Sequence, residues 1–389
     1  MSDRPAPGAP ENRQPSTLAI HAGEDELTTR APVVPPVVQS ATFVWADPAD
    51  GPLLYTRYGN NPNQVQLARK MAALEGMEAS VPLASGMAAV AMTLLALTEA
   101  GDHVVASSRL YGATHALLTT ELPRRGVTAT LVDPVGDWEA AVRPETRVLY
   151  LELPTNPTIR VVDPRPVVRL ARQRGLTVVC DATFASPINF RAADHGLDVA
   201  VQSATKYLGG HSDLIAGVVS GPREVTERVG EMARLYGPAL DPHTAWLLDR
   251  GIRTLDVRME RHNRNALEIA RRMEGAPGVR GVVYPGLPSH PDHALAAELF
   301  RGFGGMMALV LEGGGDAADR FVRRLRLAVA APSLGGVETL VSQPRHTSHH
   351  ALSATEREAL GIPDGFVRIS VGLEDPEDLL ADFAQALEG

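Results

Sequence analysis

A single cysteine, Cys180, stands among 389 residues. It rules out an intrachain disulfide and any zinc–cysteine cluster. It ends the short apolar run Thr177-Val178-Val179-Cys180, so it reads as a buried strand residue rather than a reactive thiol. No uninterrupted apolar run reaches the ~18 residues a membrane helix needs. The N-terminal stretch has no basic-then-apolar signal pattern, and the expectation is a cytoplasmic protein. Basic charge is also scarce: 37 Lys and Arg stand against 46 Asp and Glu, a net charge of −9. Such a surface repels nucleic acid and anionic membranes. The densest basic stretch, Arg323-Arg324-Leu325-Arg326, interrupts apolar helical spacing and reads as a solvated helix face. No internal repeat is visible.

What is present is globular: 44% hydrophobic and 21% charged residues, enough for a sizeable core. The length exceeds what one compact core usually holds, so two large domains are expected. Residues 1–15, rich in Pro, Gly and polar side chains, read as a disordered arm. Residues 16–59 carry Pro32, Pro35 and Pro36 with little periodicity; they read as an extended segment lying over another part of the molecule or over a neighbouring subunit. From Asn63, Leu67, Met71 and Leu74 recur at helical spacing and Gly76 is a stop signal. Strands are predicted at residues 103–106, 127–132, 148–153, 176–180, 199–202 and 214–220. Helical patterns lie between several of them, such as 166–174 closing at Gly175. That alternation predicts a parallel sheet covered on both faces, within a large domain over 60–250. Asp241-Pro242 opens a predicted long helix running to about Glu274. Strands predicted at 281–284, 306–311 and 367–371 then mix with helices, giving a smaller α+β domain over 251–389.

Open α/β sheets bind ligands beyond the carboxyl ends of their strands. Val201 to His211 places Ser203, Thr205, Lys206 and the pair Gly209-Gly210 after such a strand. A desolvated lysine has a lowered pKa and can form a Schiff base; a surface turn is the plainer alternative. Asp181 ends another buried run and needs a partner. A protonated pyridine nitrogen at ~4 Å, at an effective dielectric of ~20, would gain about 4 kcal/mol and stay cationic; a turn or capping aspartate is the alternative. Ala84-Ser85-Gly86-Met87 opens a helical run whose free N–H groups suit a phosphate, or form a plain cap. Asn156, in Glu152-Leu153-Pro154-Thr155-Asn156-Pro157, could reach a ring oxygen. Tyr111 could stack on a flat cofactor. Tyr55-Thr56-Arg57 could reach a phosphate across a subunit boundary.

Taken together, these segments resemble the trans-sulfuration family of cysteine and methionine metabolism, cystathionine γ-synthase, cystathionine γ-lyase and their relatives, over residues 17–389. Ser203-Ala204-Thr205-Lys206 with Gly209-Gly210-His211 is similar to the family's cofactor-lysine signature. Asp181-Ala182-Thr183-Phe184-Ala185-Ser186-Pro187 is similar to its pyridine-partner motif. Ser333 to Glu338 and Arg368 to Asp375 resemble its C-terminal substrate-binding motifs. The resemblance implies the aspartate-aminotransferase-like fold type I, a mostly parallel large sheet plus a smaller C-terminal domain, with pyridoxal 5'-phosphate as cofactor. It implies that Lys206 carries the cofactor, that Asp181 pairs with the pyridinium, and that Tyr111 stacks on the ring. Gly86, Met87, Thr183, Ser203 and Thr205 would also hold the cofactor, with Tyr55 and Arg57 from the neighbouring subunit. Asn156 would contact the ring hydroxyl or the substrate; Arg368 would clamp the α-carboxylate, with Ser333 nearby. It further implies a small amino-acid substrate and a homotetramer built of dimers that share active sites. The activity implied is γ-elimination or γ-replacement on cystathionine or an O-activated homoserine. The chain departs from the family pattern in three places. Ala182 stands where asparagine is usual, Asn60-Asn61 carries one extra asparagine, and Ala113 stands where methionine γ-lyases carry cysteine.

Rival readings stay open at the level of residues. Ser203-x-x-Lys206 matches the serine motif of penicillin-binding proteins, but no Lys-Thr-Gly element exists. His346, His349 and His350 cluster, and His290-Pro291-Asp292-His293 has ligand-like spacing, so a metal-dependent enzyme is the different-class alternative. A third reading keeps the fold and cofactor but uses an unusual substituted amino acid and a non-sulfur nucleophile.

Overall fold

Side chains that alternate to two buried faces explain why the strands read as unbroken apolar runs. The computed structural model describes residues 13–24, 28–348, 350 and 352–388. The expected disordered arm falls mostly outside these residues. The larger sheet has seven strands: β1 Ala79–Leu83, β2 His103–Ser107, β3 Thr128–Val132, β4 Thr146–Glu152, β5 Thr177–Asp181, β6 Val199–Gln202 and β7 Gly217–Gly221. Their order is β1-β7-β6-β5-β4-β2-β3. Val105, Leu149, Leu151, Val178, Cys180 and Ala200 face one apolar layer. Val104, Val148, Tyr150, Val179, Val199 and Val201 face the other. Cys180 is completely buried, as its run predicts.

The strands from β3 through β2, β4 and β5 to β6 are parallel. β7 runs antiparallel to β6, and β1 antiparallel to β7. Two reversals return β1 to the common direction, so its carboxyl end lies on the same sheet edge as theirs. β1 is a strand that the apolar pattern does not announce: Ser80 and Pro82 interrupt it, which an edge strand tolerates. The strand predicted from residue 214 begins only at Gly217.

Helix Pro62–Glu75 starts at Asn61, whose side chain forms a capping box with Gln64, and stops at left-handed Gly76. Asn60 accepts a hydrogen bond from the Tyr55 N–H at 2.8 Å. The paired asparagines therefore divide two jobs, one closing a loop and one capping a helix. A short helix, Pro15–His21, buries Leu18 and Ala19; the proline-rich sequence around it shows no helical period.

The single long helix expected from Asp241 to Glu274 is two, Pro242–Ile252 and Leu255–Met273. Gly251 presses so closely on the loop after Lys206 that a Cβ there would sit 2.4 Å from the Gly209 carbonyl oxygen. The Gly251 carbonyl accepts from the Arg258 guanidinium at 2.7 Å. The smaller sheet comprises β8 Val279–Val283, β9 Met306–Leu311, β10 Val329–Ala330, β11 Leu340–Ser342 and β12 Phe366–Ser370, ordered β10-β11-β12-β9-β8. Helices Leu255–Met273, Gly314–Arg324 and Pro376–Leu387 pack on it through Ile269, Phe321 and Phe383. Arg323 and Arg324 are exposed in the last turn of their helix. This is the expected large, mostly parallel sheet with a smaller α+β unit. Among the described residues no helix is long and apolar enough to cross a membrane.

Candidate active site

β1, β2, β4, β5 and β6 all end at one edge of the large sheet, and β12 of the small sheet approaches it. A cavity of about 510 Å³ lies there. Gly86, Met87, Tyr111, Asn156, Asp181, Thr183, Ser203, Thr205, Lys206, Ser333 and Arg368 all line it. Eleven residues from separate stretches of the sequence, singled out there from a local motif or from the family resemblance, thus share one space.

After β1, Ser85 caps helix Gly86–Leu97 by accepting from the Ala88 N–H at 3.0 Å. A Cβ on residue 86 would lie 2.6 Å from the Ser203 Cβ, so glycine permits the helix end and the lysine loop to touch. The helix N-terminus carries unpaired N–H groups and a positive partial charge, a setting for phosphate. Thr205 Oγ1 accepts from the Ala216 N–H at 3.1 Å and donates to the Ala216 carbonyl at 3.2 Å, pinning the loop that presents Lys206. Lys206 Nζ donates to Ser333 Oγ at 2.9 Å. Burial, reinforced by the charge of Arg368, pulls the Lys206 amine down to about 8.

Asp181, buried at the end of β5, accepts from the Thr183 N–H at 3.0 Å. Burial pushes its carboxyl up, and the Thr183 hydroxyl and N–H pull back. Thr183 Oγ1 in turn accepts from the Ser203 N–H at 2.8 Å, tying the aspartate loop to the lysine loop. Arg368 of β12 donates to Asn156 Oδ1 and to the Ser333 carbonyl, each at 3.1 Å. Burial lowers its pKa to about 10. Among the described residues neither Asp181 nor Arg368 has an ion-pair partner. A buried carboxyl without a cation and a half-buried guanidinium without an anion leave places for complementary ligand charges. A pyridinium at Asp181, a phosphate at Gly86 and an aldehyde at Lys206 fit these residues.

Glu152 also lines the cavity, and the sequence reading assigned it no role. It ends β4 directly beside Asp181 in the strand register. That position, last in a buried strand, is the signal that could have found it. Tyr55 and Arg57 do not line this cavity. Arg57 lies 5.4 Å from the Tyr55 ring centre and donates to the Arg234 carbonyl at 2.8 Å.

Among the described residues the histidine cluster is not gathered as a metal site. His346 bonds to Asp319 at 3.1 Å and His350 to the Thr347 carbonyl at 2.8 Å, while His349 lies outside the described residues. In the other pair, Asp292 is engaged by Arg160. Among the described residues no group of three or more His, Cys, Asp or Glu could hold a metal ion.

Residues 16–388 match the model of the "Cys/Met metabolism PLP-dependent enzyme" family. The chain is 42% identical to an L-methionine gamma-lyase of Pseudomonas putida, covering 96% of this chain and 97% of that protein. It is 40% identical to a chloroplastic cystathionine gamma-synthase 1 of Nicotiana tabacum, covering 96% and 71%. The crystal structure of metB from Corynebacterium glutamicum superimposes with a TM-score of 0.92 at 38% identity, covering 97% of this chain and 99% of that one. A cavity in which a buried aspartate, a half-buried guanidinium and a lysine of lowered pKa meet, in a chain so matched, belongs to a pyridoxal-phosphate-dependent enzyme of the cysteine and methionine metabolism family.

Proposed function

We propose that the enzyme breaks or forms a bond at the γ-carbon of an amino acid, by elimination or replacement on cystathionine or an O-activated homoserine. The observation that carries this reading is the meeting of Lys206, Asp181 and Arg368 on one cavity. Bound there, pyridoxal phosphate supplies the sink for the electron pair left at the substrate Cα. Lys206, with its pKa near 8, is the base that takes the Cα proton near neutral pH. Arg368, braced by Asn156 and Ser333, receives the α-carboxylate. Asp181 holds the negative charge that keeps a ring nitrogen protonated. Gly86, Met87, Ser203 and Thr205 receive the phosphate. Tyr111, 45% exposed at the mouth, offers a ring for stacking and a hydroxyl for the leaving group.

A homo-oligomer in which Tyr55 and Arg57 complete the neighbour's phosphate site is part of the same proposal. Val33, Val44, Trp45 and Leu53, on the segment bearing these residues, are exposed, Val44 by 99%. Apolar groups so placed call for a covering surface. Mixing an Arg57→Ala protein with a Lys206→Ala protein, each inactive alone, should restore activity through hybrid sites. No recovery in a verified mixed oligomer would refute the sharing.

The wild-type protein, supplied with pyridoxal phosphate, should develop a visible absorption band that Lys206→Ala lacks. A substrate panel should then show 2-oxo acid release or thioether formation from γ-substituted amino acids. A protein that stays colourless after reconstitution would overturn the reading.

A further inference from the structure

We propose that Glu152 is the positioning residue of this site: its one carboxylate holds two separate loops, and through them sets both Tyr111 and Arg368. The inference rests on the function proposed above. Glu152 Oε2 accepts from the Tyr111 N–H at 2.7 Å, and Oε1 accepts from the Asn156 N–H at 2.9 Å. Asn156 Oδ1 accepts from Arg368 at 3.1 Å. The other terminal nitrogen of Arg368 donates to the Ser333 carbonyl at 3.1 Å, and Ser333 Oγ accepts from Lys206 at 2.9 Å. A continuous run of hydrogen bonds thus leads from the loop bearing the stacking tyrosine, through Glu152, to the carboxylate receptor and the reactive amine.

The chemistry of the side chain fits this task. Two N–H groups from different loops require two acceptors. A carboxylate presents two, whereas an amide presents one acceptor and one donor. Glu152 is itself firmly held: it pairs in register with Asp181, and the next residue, Leu153, donates to the Asp181 carbonyl at 2.9 Å. It is 4% exposed and has no cation beside it among the described residues. Burial, and then the charge of Asp181, push its carboxyl well above the usual range, while the two N–H groups pull it back. A buried acid kept in so unfavourable a place, yet bonded at both oxygens to residues that flank the cavity, acts through those residues.

Glu152→Gln tests this, because one loop then faces an amide NH2 instead of an acceptor. In the cofactor-free protein, amide hydrogen exchange should quicken in a peptide containing Tyr111 or Asn156 while β4 stays protected. In the loaded protein, the visible circular dichroism of the bound cofactor should change, and kcat/KM should fall about ten- to a hundredfold, the loss of one charge-assisted hydrogen bond. Loss of the Asn156 arm raises KM for the amino acid; loss of the Tyr111 arm lowers kcat with KM held. Wild-type exchange, dichroism and kinetic constants would overturn the proposal, even if the melting temperature drops. Should the glutamine protein fail to fold, Glu152→Asp, charged but one methylene short, must show the same changes; a wild-type aspartate variant would overturn it. A wild-type protein without a visible cofactor band would instead strike at the proposed function.

Discussion

Lys206 Nζ donates a hydrogen bond to Ser333 Oγ at 2.9 Å, across 127 residues of chain. Ser333 makes that contact from a left-handed backbone, φ 94°. A side chain in this region costs on the order of 1–3 kcal/mol. Replacing it by glycine should therefore raise the unfolding free energy by about 1 kcal/mol once glycine's own entropy cost is offset. The same change removes the hydroxyl from Lys206, so turnover should fall. Denaturant unfolding beside steady-state kinetics checks both; a less stable Ser333→Gly protein would contradict the strain argument.

The depressed Lys206 pKa has a definite sign. A free lysine titrates at 10.5 and the folded one at about 8. Between these values the unfolded chain binds the extra proton, so this group makes the cofactor-free fold more stable as pH rises from about 8 to 10.5. The neutral amine is also the form that condenses with an aldehyde. The rate of cofactor loading should climb with pH and level off above about 8. In Arg368→Met, which removes the second cause of the depression, the midpoint should move upward. A midpoint near 10.5 in the wild type would rule out the desolvated amine.

The chain has two lysines, Lys70 and Lys206. Lys70 is fully buried, with Nζ 2.8 Å from Asp249 and 3.1 Å from the Ile20 carbonyl. Borohydride reduction of the loaded enzyme should therefore fix cofactor on one internal peptide, the one containing Lys206. Peptide mapping that finds cofactor on Lys70 in the native protein would contradict this burial.

The same Lys70 supports a stability prediction. Asp249 bridges Lys70 to Arg253, which reaches Glu24 beyond the helix Pro15–His21. Removing one partner of a buried pair leaves an uncompensated charge, worth about 3–5 kcal/mol. Asp249→Ala should lose that much in urea unfolding, whereas Lys70 and Asp249 replaced together should lose less. An Asp249→Ala loss below about 1 kcal/mol would show that Lys70 is not dependent on it.

Many of the cavity-lining residues were legible because they sit in short contiguous motifs at strand ends. Ser203 to Lys206, Asp181 to Thr183 and Ser85 to Met87 are local signals, and period and turn chemistry locate them without knowledge of the partner. β1 was not legible, since its pairing with β7 overrides a poor strand sequence. The break after Ile252 was not legible either; Gly251, just before it, packs against the Gly209 carbonyl 42 residues away, a contact that no local pattern displays.

The sequence by itself determined which chemistry the chain carries: a lysine, an aspartate and an arginine, each in a recognisable setting. Those settings depend on neighbours along the chain, and neighbours along the chain are what a sequence displays. Only the tertiary structure decided that Glu152 and Asp181 stand side by side, that Arg368 leans on Asn156, and that Tyr55 and Arg57 lie off the cavity. Strand order, register and the docking of the small sheet set these relations, and they follow from the packing of whole faces, not from any short run of residues.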